Sequence, residues 1–261
     1  MSYSQRAPLA SLKHGQVIKM KKKMMSLLKV KRPNTVMTNT SECPFRLDNL
    51  PLTYSYIPAV NKGMTDGSKW MLLLHGRGDN KSSYEVLAKE INVTGVNFLA
   101  LNAPFPMPMG FMEGYSWYDE HFDPQEIPYR KSIELLIQTI ETLYSQGLHC
   151  SDLFILGFSQ GGRMAIDLLH HLETPIAGAM ALSPRMSSFH NYINPSQALT
   201  KTPIFSAHGA LDPIIPYSET KAEIQRMREV NPQIEFQTYE IGHEIDIMEI
   251  IDLRNWLNEL I

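Results

Sequence analysis

Short, wholly apolar runs alternate with longer amphipathic stretches along most of this chain, and that alternation constrains the fold more than any other feature. Residues 69–75 (KWMLLLH), 96–101 (VNFLAL), 153–156 (LFIL), 176–182 and 203–207 have almost no polar face, as expected of strands buried on both sides. Residues 52–57 and 234–241 alternate in polarity and read as strands nearer an edge. Between them, residues 82–90, 129–146, 160–172, 217–230 and 246–261 read as helices; in the second, Ile133, Leu136, Ile137, Ile140 and Leu143 recur at helical spacing. Strands that alternate with helices require crossover connections, which predicts an α/β fold with a mainly parallel central sheet and helices on both faces. Residues 103–128, rich in Pro and Met, read as a long loop. The chain shows no internal repeat and no second folded domain.

Charge divides the chain unevenly. Of its 24 Lys and Arg, nine lie in residues 1–41, which hold no Asp or Glu; the remainder carries 15 basic against 27 acidic residues, a balance of −12. An acidic globular part argues against nucleic acid as the partner. Residues 1–45 are therefore expected to be a basic, flexible leader, and residues 46–261 the folded domain. Two other readings of the leader stand beside that one. A signal peptide is disfavoured, because the apolar stretch behind the lysines is only a few residues long. An amphipathic anchor on anionic lipid would give the protein a membrane contact. No apolar run is long enough to span a bilayer. Cys43 and Cys150 are too few and too far apart for a disulfide framework, which predicts a reducing, cytoplasmic setting. They form no metal-ligand pattern with neighbouring His, so no metal and no cofactor is expected.

The chemistry concentrates where strands end. Gly157-Phe158-Ser159-Gln160-Gly161 is a G-x-S-x-G placed directly after the strand LFIL and directly before a helix, the setting of a nucleophile elbow. Asp212 lies just beyond the strand at 203–207, in HGALDPIIP, and His243 just beyond the strand at 234–241. In a doubly wound sheet such positions converge on one rim. A serine hydroxyl is a poor nucleophile until a base takes its proton, and an imidazole held by a carboxylate is suited to that. Ser159, His243 and Asp212 are thus the expected nucleophile, base and acid. The oxyanion donors should be backbone amides: Gln160, after the nucleophile, and Arg77, on the glycine-containing loop after the first buried strand. His75 is expected to order that loop rather than act as a second base, and Asp79 to brace its turn.

LLLHGRGDN, NAPFPMPMGFMEGYSWYDE, GFSQGGRMA, HGALDPIIP and YEIGHEI together resemble the phospholipase/carboxylesterase family, which includes the acyl-protein thioesterases, over about residues 68–261. The resemblance implies an α/β-hydrolase that cleaves carboxylic esters or thioesters of acyl chains without a cofactor. It carries the triad onto Ser159, Asp212 and His243 and the oxyanion donors onto Arg77 and Gln160. Met107, Met109, Phe111, Met112 and Trp117, with Tyr115, are candidates for an acyl groove, although ordinary loop packing explains them equally well. Arg77 and Arg163 depart from the leucine and small residue common in the family, and would put cations at the mouth. Too few residues separate 182 from 203 for a large lid, so an open site for a small or extended substrate is expected. The rival reading is a non-catalytic α/β-hydrolase serving as a binding protein, against which the full set of three groups argues. Oligomeric state is not legible.

Overall fold

Seven strands make the central sheet. In a computed structural model, residues 43–60, 69–110, 113–119, 127–186 and 194–261 are described, and they belong to one unit, residues 40–261. The strands are β1 (Tyr54–Ile57), β2 (Lys69–Leu74), β3 (Val96–Leu101), β6 (Leu153–Phe158), β7 (Gly178–Leu182), β8 (Ile204–Gly209) and β9 (Ile234–Tyr239). Their order across the sheet is β1-β3-β2-β6-β7-β8-β9, and all pair in parallel except β1, which closes one edge antiparallel to β3. The α1 (Lys81–Ile91), α2 (Ile127–Ser145), α3 (Gln160–His171), α4 (Gln197–Lys201), α5 (Tyr217–Met227) and α6 (Ile247–Leu260) helices complete the layers.

The apolar runs are continuous because each strand feeds two cores. In β2, Trp70, Leu72 and Leu74 join Ile133, Leu136 and Ile140 of α2 and Ala165, Leu168 and Leu169 of α3. Met71 and Leu73 point the other way, into Leu87, Ala88 and Ile91 of α1 and Ile250, Leu253 and Leu257 of α6. Each such buried side chain contributes about 1.5–3 kcal/mol. The outer strand β9 keeps a half-exposed face, which is why it alternates in sequence.

Helix starts follow local chemistry. Asn80 caps α1 by accepting from Ser82 N, and Asp246 caps α6 in a capping box with Glu249.

The element boundaries agree with the sequence to within a few residues; β3 matches at both ends. Among the described residues, a 3-10 turn at Cys150–Asp152 and two larger features go beyond the sequence expectations. The Pro- and Met-rich stretch holds a two-stranded hairpin, β4 (Phe105–Pro106) with β5 (Tyr115–Ser116), and the short helix α4 precedes β8. Residues this few carry no periodicity to read.

Cys43 and Cys150 are not bonded to each other, and Cys43 and Phe45 pack against the core, Phe45 with its ring 4.9 Å from Trp70. The leader otherwise lies outside the described residues. Among those described, no helix is long and apolar enough to cross a membrane.

Candidate active site

Ser159 sits between the last residue of β6 and the first of α3, at φ 54° and ψ −114°. A side chain rarely takes that conformation, and here neighbouring backbone enforces it. Ser159 N–H donates to the Leu182 carbonyl of β7 at 2.8 Å, and its own carbonyl accepts the first helical bond from Arg163 N. The turn is so tight that a Cβ on Gly157 would run into the Gly161 carbonyl, and a Cβ on Gly161 into the backbone at Leu74 and His75. Gly161→Ala is expected to lower unfolding stability by more than about 4 kcal/mol or to prevent folding, because both clashing partners are backbone at the end of a central strand. A thermal melt of the purified variant measures this.

The sheet brings the three expected groups into line. Nε2 of His243 lies 2.8 Å from Ser159 Oγ, and Nδ1 lies 2.7 Å from Asp212 Oδ2. The imidazole also rests against the Phe158 ring, centroid to centroid 4.8 Å. Asp212 is held from its other oxygen: Oδ1 accepts from Ile214 N at 2.8 Å and Ile215 N at 2.9 Å. Burial by itself would raise this carboxyl's pKa; hydrogen bonds from His208 and His243 outweigh it and hold the group well below the usual carboxylate range. The carboxylate therefore stays charged wherever the imidazole needs it.

The loop after β2, where one oxyanion donor is expected, runs from His75 to Asp79. His75 is wholly buried, and burial pushes its pKa down. Its Nε2 accepts from Ala103 N at 3.0 Å, which leaves the proton on Nδ1 to donate to the Gly76 carbonyl at 2.7 Å. The peptide joining Gly76 to Arg77 is thereby oriented. Asp79 accepts from Asn80 N and Ser83 Oγ, bracing the turn as expected. Gln160 is the first residue of α3, where amides have no partner within the helix.

The sequence missed what the Gln160 side chain does. Its Oε1 accepts from Trp117 N at 2.8 Å and its Nε2 donates to the Tyr118 carbonyl at 2.7 Å, both buried. Tyr115 in turn exchanges backbone bonds with Gly78 and Asp79. The turn at Ser159 and the loop after β2 are thus tied through β5 and the residues after it. Only the three-dimensional path reveals this, since nothing in GFSQG marks the glutamine as a clamp.

Two expectations need correction. Trp117 does not line a groove: it is fully buried, and its indole N–H donates to the His75 carbonyl at 2.9 Å. An aromatic in a Met-rich loop looks the same in sequence whether it faces a ligand or the sheet. Arg163 is no cation at the mouth; it is buried on α3, paired with Asp167, whose Oδ2 also accepts from Tyr129 Oη at 3.0 Å. That pair is legible in hindsight as an i, i+4 spacing. The Arg77 side chain is exposed on the loop after β2. Met107 and Met109 are half-buried, Met109 with its sulfur over Gly78. Phe111 and Met112 lie outside the described residues. Among the described residues no group of three or more His, Cys, Asp or Glu is placed to hold a metal ion.

A family model described as Phospholipase/Carboxylesterase matches residues 56–261. The chain belongs to the phospholipase/carboxylesterase family. It is a carboxylic ester hydrolase on the α/β-hydrolase fold. Acyl-protein thioesterase 1 of Debaryomyces hansenii is 29% identical to this family member over 229 residues, spanning 78% of this chain and 97% of that protein. A probable inactive carboxylesterase of Oryza sativa subsp. japonica is 26% identical over 213 residues, spanning 74% of this chain and 85% of that protein. The crystal structure of esterase PE8 shares the fold, with a TM-score of 0.71 at 22% identity, covering 80% of this chain and 99% of that one.

Proposed function

We propose that this chain hydrolyses carboxylic esters or thioesters of acyl chains through an acyl-enzyme on Ser159. The observation that carries the reading is the unbroken line from Ser159 Oγ through His243 to Asp212, with contacts of 2.8 and 2.7 Å. Ser159 Oγ attacks the acyl carbonyl while His243 Nε2 takes its proton, and Asp212 stabilises the imidazolium that forms. The amides of Arg77 and Gln160 receive the developing oxyanion, the first oriented by His75 and the second by the start of a helix, whose dipole favours negative charge. His243 then protonates the leaving alcohol or thiol. A water repeats the sequence, with His243 as base, to free the acid and the serine.

Thioesters join esters as substrates because an acyl-protein thioesterase is among the relatives. Met107 and Met109, beside the oxyanion loop, are suited to an acyl chain, since a flexible thioether conforms to varied shapes. The unpaired cysteines accord with a reducing, cytoplasmic setting. One relative carries a name that denies it activity, so the three side chains, rather than membership, bear the mechanistic weight.

Initial rates on p-nitrophenyl esters from acetate to palmitate, for wild type and Ser159→Ala, test the reading. The variant is expected to lose about 10⁴-fold or more in kcat and to escape labelling by an organophosphonate. Undiminished hydrolysis by Ser159→Ala would overturn the assignment.

A further inference from the structure

Asp212 faces two imidazoles. His243 takes Oδ2 at 2.7 Å, and Nε2 of a second histidine, His208, stands 3.4 Å from the same oxygen. His208 belongs to β8 and is wholly buried. The turn closed by Asp212 N on the Gly209 carbonyl, at 3.2 Å, folds the acid back over the strand end that carries it. Nε2 of His208 also lies 3.0 Å from the Ile215 carbonyl. Both neighbours of Nε2 are acceptors, which puts the ring's proton on that nitrogen. Nδ1 is buried with no hydrogen-bond partner among the described residues. Leaving such an atom unsatisfied carries an uncompensated desolvation cost. What the ring returns in polar interaction therefore goes entirely to the loop from Asp212 to Ile215.

We propose that His208 is a positioning residue for Asp212: its Nε2–H, shared between the Ile215 carbonyl and Asp212 Oδ2, holds the carboxylate in place and withdraws part of its charge from His243. The inference rests on the reading of Ser159, His243 and Asp212 as an acyl-transfer triad. Among the described residues, three other titratable or charged groups face this corner. His243 comes from the loop after β9. Tyr217 of α5 lies with its ring 6.2 Å from that of His208, and Arg185, after β7, donates to the Ile214 carbonyl at 3.3 Å. All three stay in place when His208 is changed. Asp212 also keeps its two backbone donors to Oδ1, so it stays anchored, but its Oδ2 becomes more basic. A more basic carboxylate binds the imidazolium more tightly, and His243 then takes up its proton at higher pH.

The experiment is the pH profile of kcat/KM on a p-nitrophenyl ester for wild type, His208→Leu and His208→Gln, because that profile reports the base of the free enzyme. In His208→Leu the acid limb is expected to move to higher pH by about half a unit or more, with kcat lower by about tenfold and KM within about twofold. In His208→Gln, whose side-chain N–H reaches the same acceptors, the limb returns to the wild-type position. An acid limb in His208→Leu that stays in place or moves to lower pH overturns the proposal. Should His208→Leu fail to fold, long-range ¹H–¹⁵N NMR on the wild-type protein decides: the His208 ring is expected as the Nε2–H tautomer, and the Nδ1–H tautomer overturns the proposal. Ser159→Ala measured alongside separates the two readings. Its retained activity would sink the triad, while the tautomer still answers for His208.

Discussion

Asp212→Asn is expected to lower kcat by about 10⁴-fold, with KM nearly unchanged. An asparagine fits the space, and its carbonyl oxygen takes over the position of Oδ1, where the amides of Ile214 and Ile215 converge. Its amide nitrogen is then left facing Nδ1 of His243. Two donors cannot share that contact, and the ring must turn its lone pair toward the asparagine and its proton toward Ser159. A base that already carries a proton on the serine side cannot take another. The amide nitrogen also meets His208 Nε2–H, but that ring keeps the Ile215 carbonyl as acceptor, so circular dichroism should match wild type while steady-state kinetics reports the loss. A KM that rises with kcat unchanged would mean that Asp212 serves substrate binding instead.

Glu249→Gln is expected to leave stability unchanged at pH 4.5 and to raise it at pH 9, by on the order of 4 kcal/mol. Glu249 is buried in the first turn of α6, and burial pushes its pKa up from 4.5 to about 8. A carboxyl that binds its proton more tightly when folded favours folding at low pH. That stabilisation is complete below about pH 4.5 and is lost as the pH climbs through about 8. Glutamine keeps the acceptor that Asp246 N uses at 3.3 Å, preserves the capping box and has no proton to lose. Urea unfolding at the two pH values measures the difference. Equal stability of the two proteins at pH 9 would show that the ionised carboxylate finds compensation in the fold.

Much of the site is legible in linear order because strand ends are legible. Ser159, Asp212 and His243 each follow an apolar run, and in a parallel sheet every such end points to the same rim. Asp79 is readable for a similar reason, since a short polar residue inside a tight turn has few neighbours other than the turn itself; the ring of His75, by contrast, bonds as far away as Ala103. His208 opens the same HGALDPIIP motif that holds Asp212, yet nothing in the motif marks it. Its role depends on a loop that leaves β8 and folds back on it, and no spacing rule distinguishes that path from one that runs away. The place of Trp117 is not legible because burial of a lone aromatic depends on what the sheet places opposite it. The hairpin of β4 and β5 escaped notice because two residues per strand make no pattern, and its registration comes from Tyr115 pairing with Asp79 across the oxyanion loop.

The sequence by itself determined the fold class, the order of layers and which three side chains the strand ends bring together on one rim. These follow from apolar periodicity and from residue types at strand ends, which are local properties that any compact solution must satisfy. Only the tertiary structure decided the tautomer of His75, the clamp made by Gln160, the pairing of Arg163 and the second imidazole on Asp212. Each of those depends on which polar atoms meet once water is excluded, and the energy of a buried polar atom is set by partners far away along the chain.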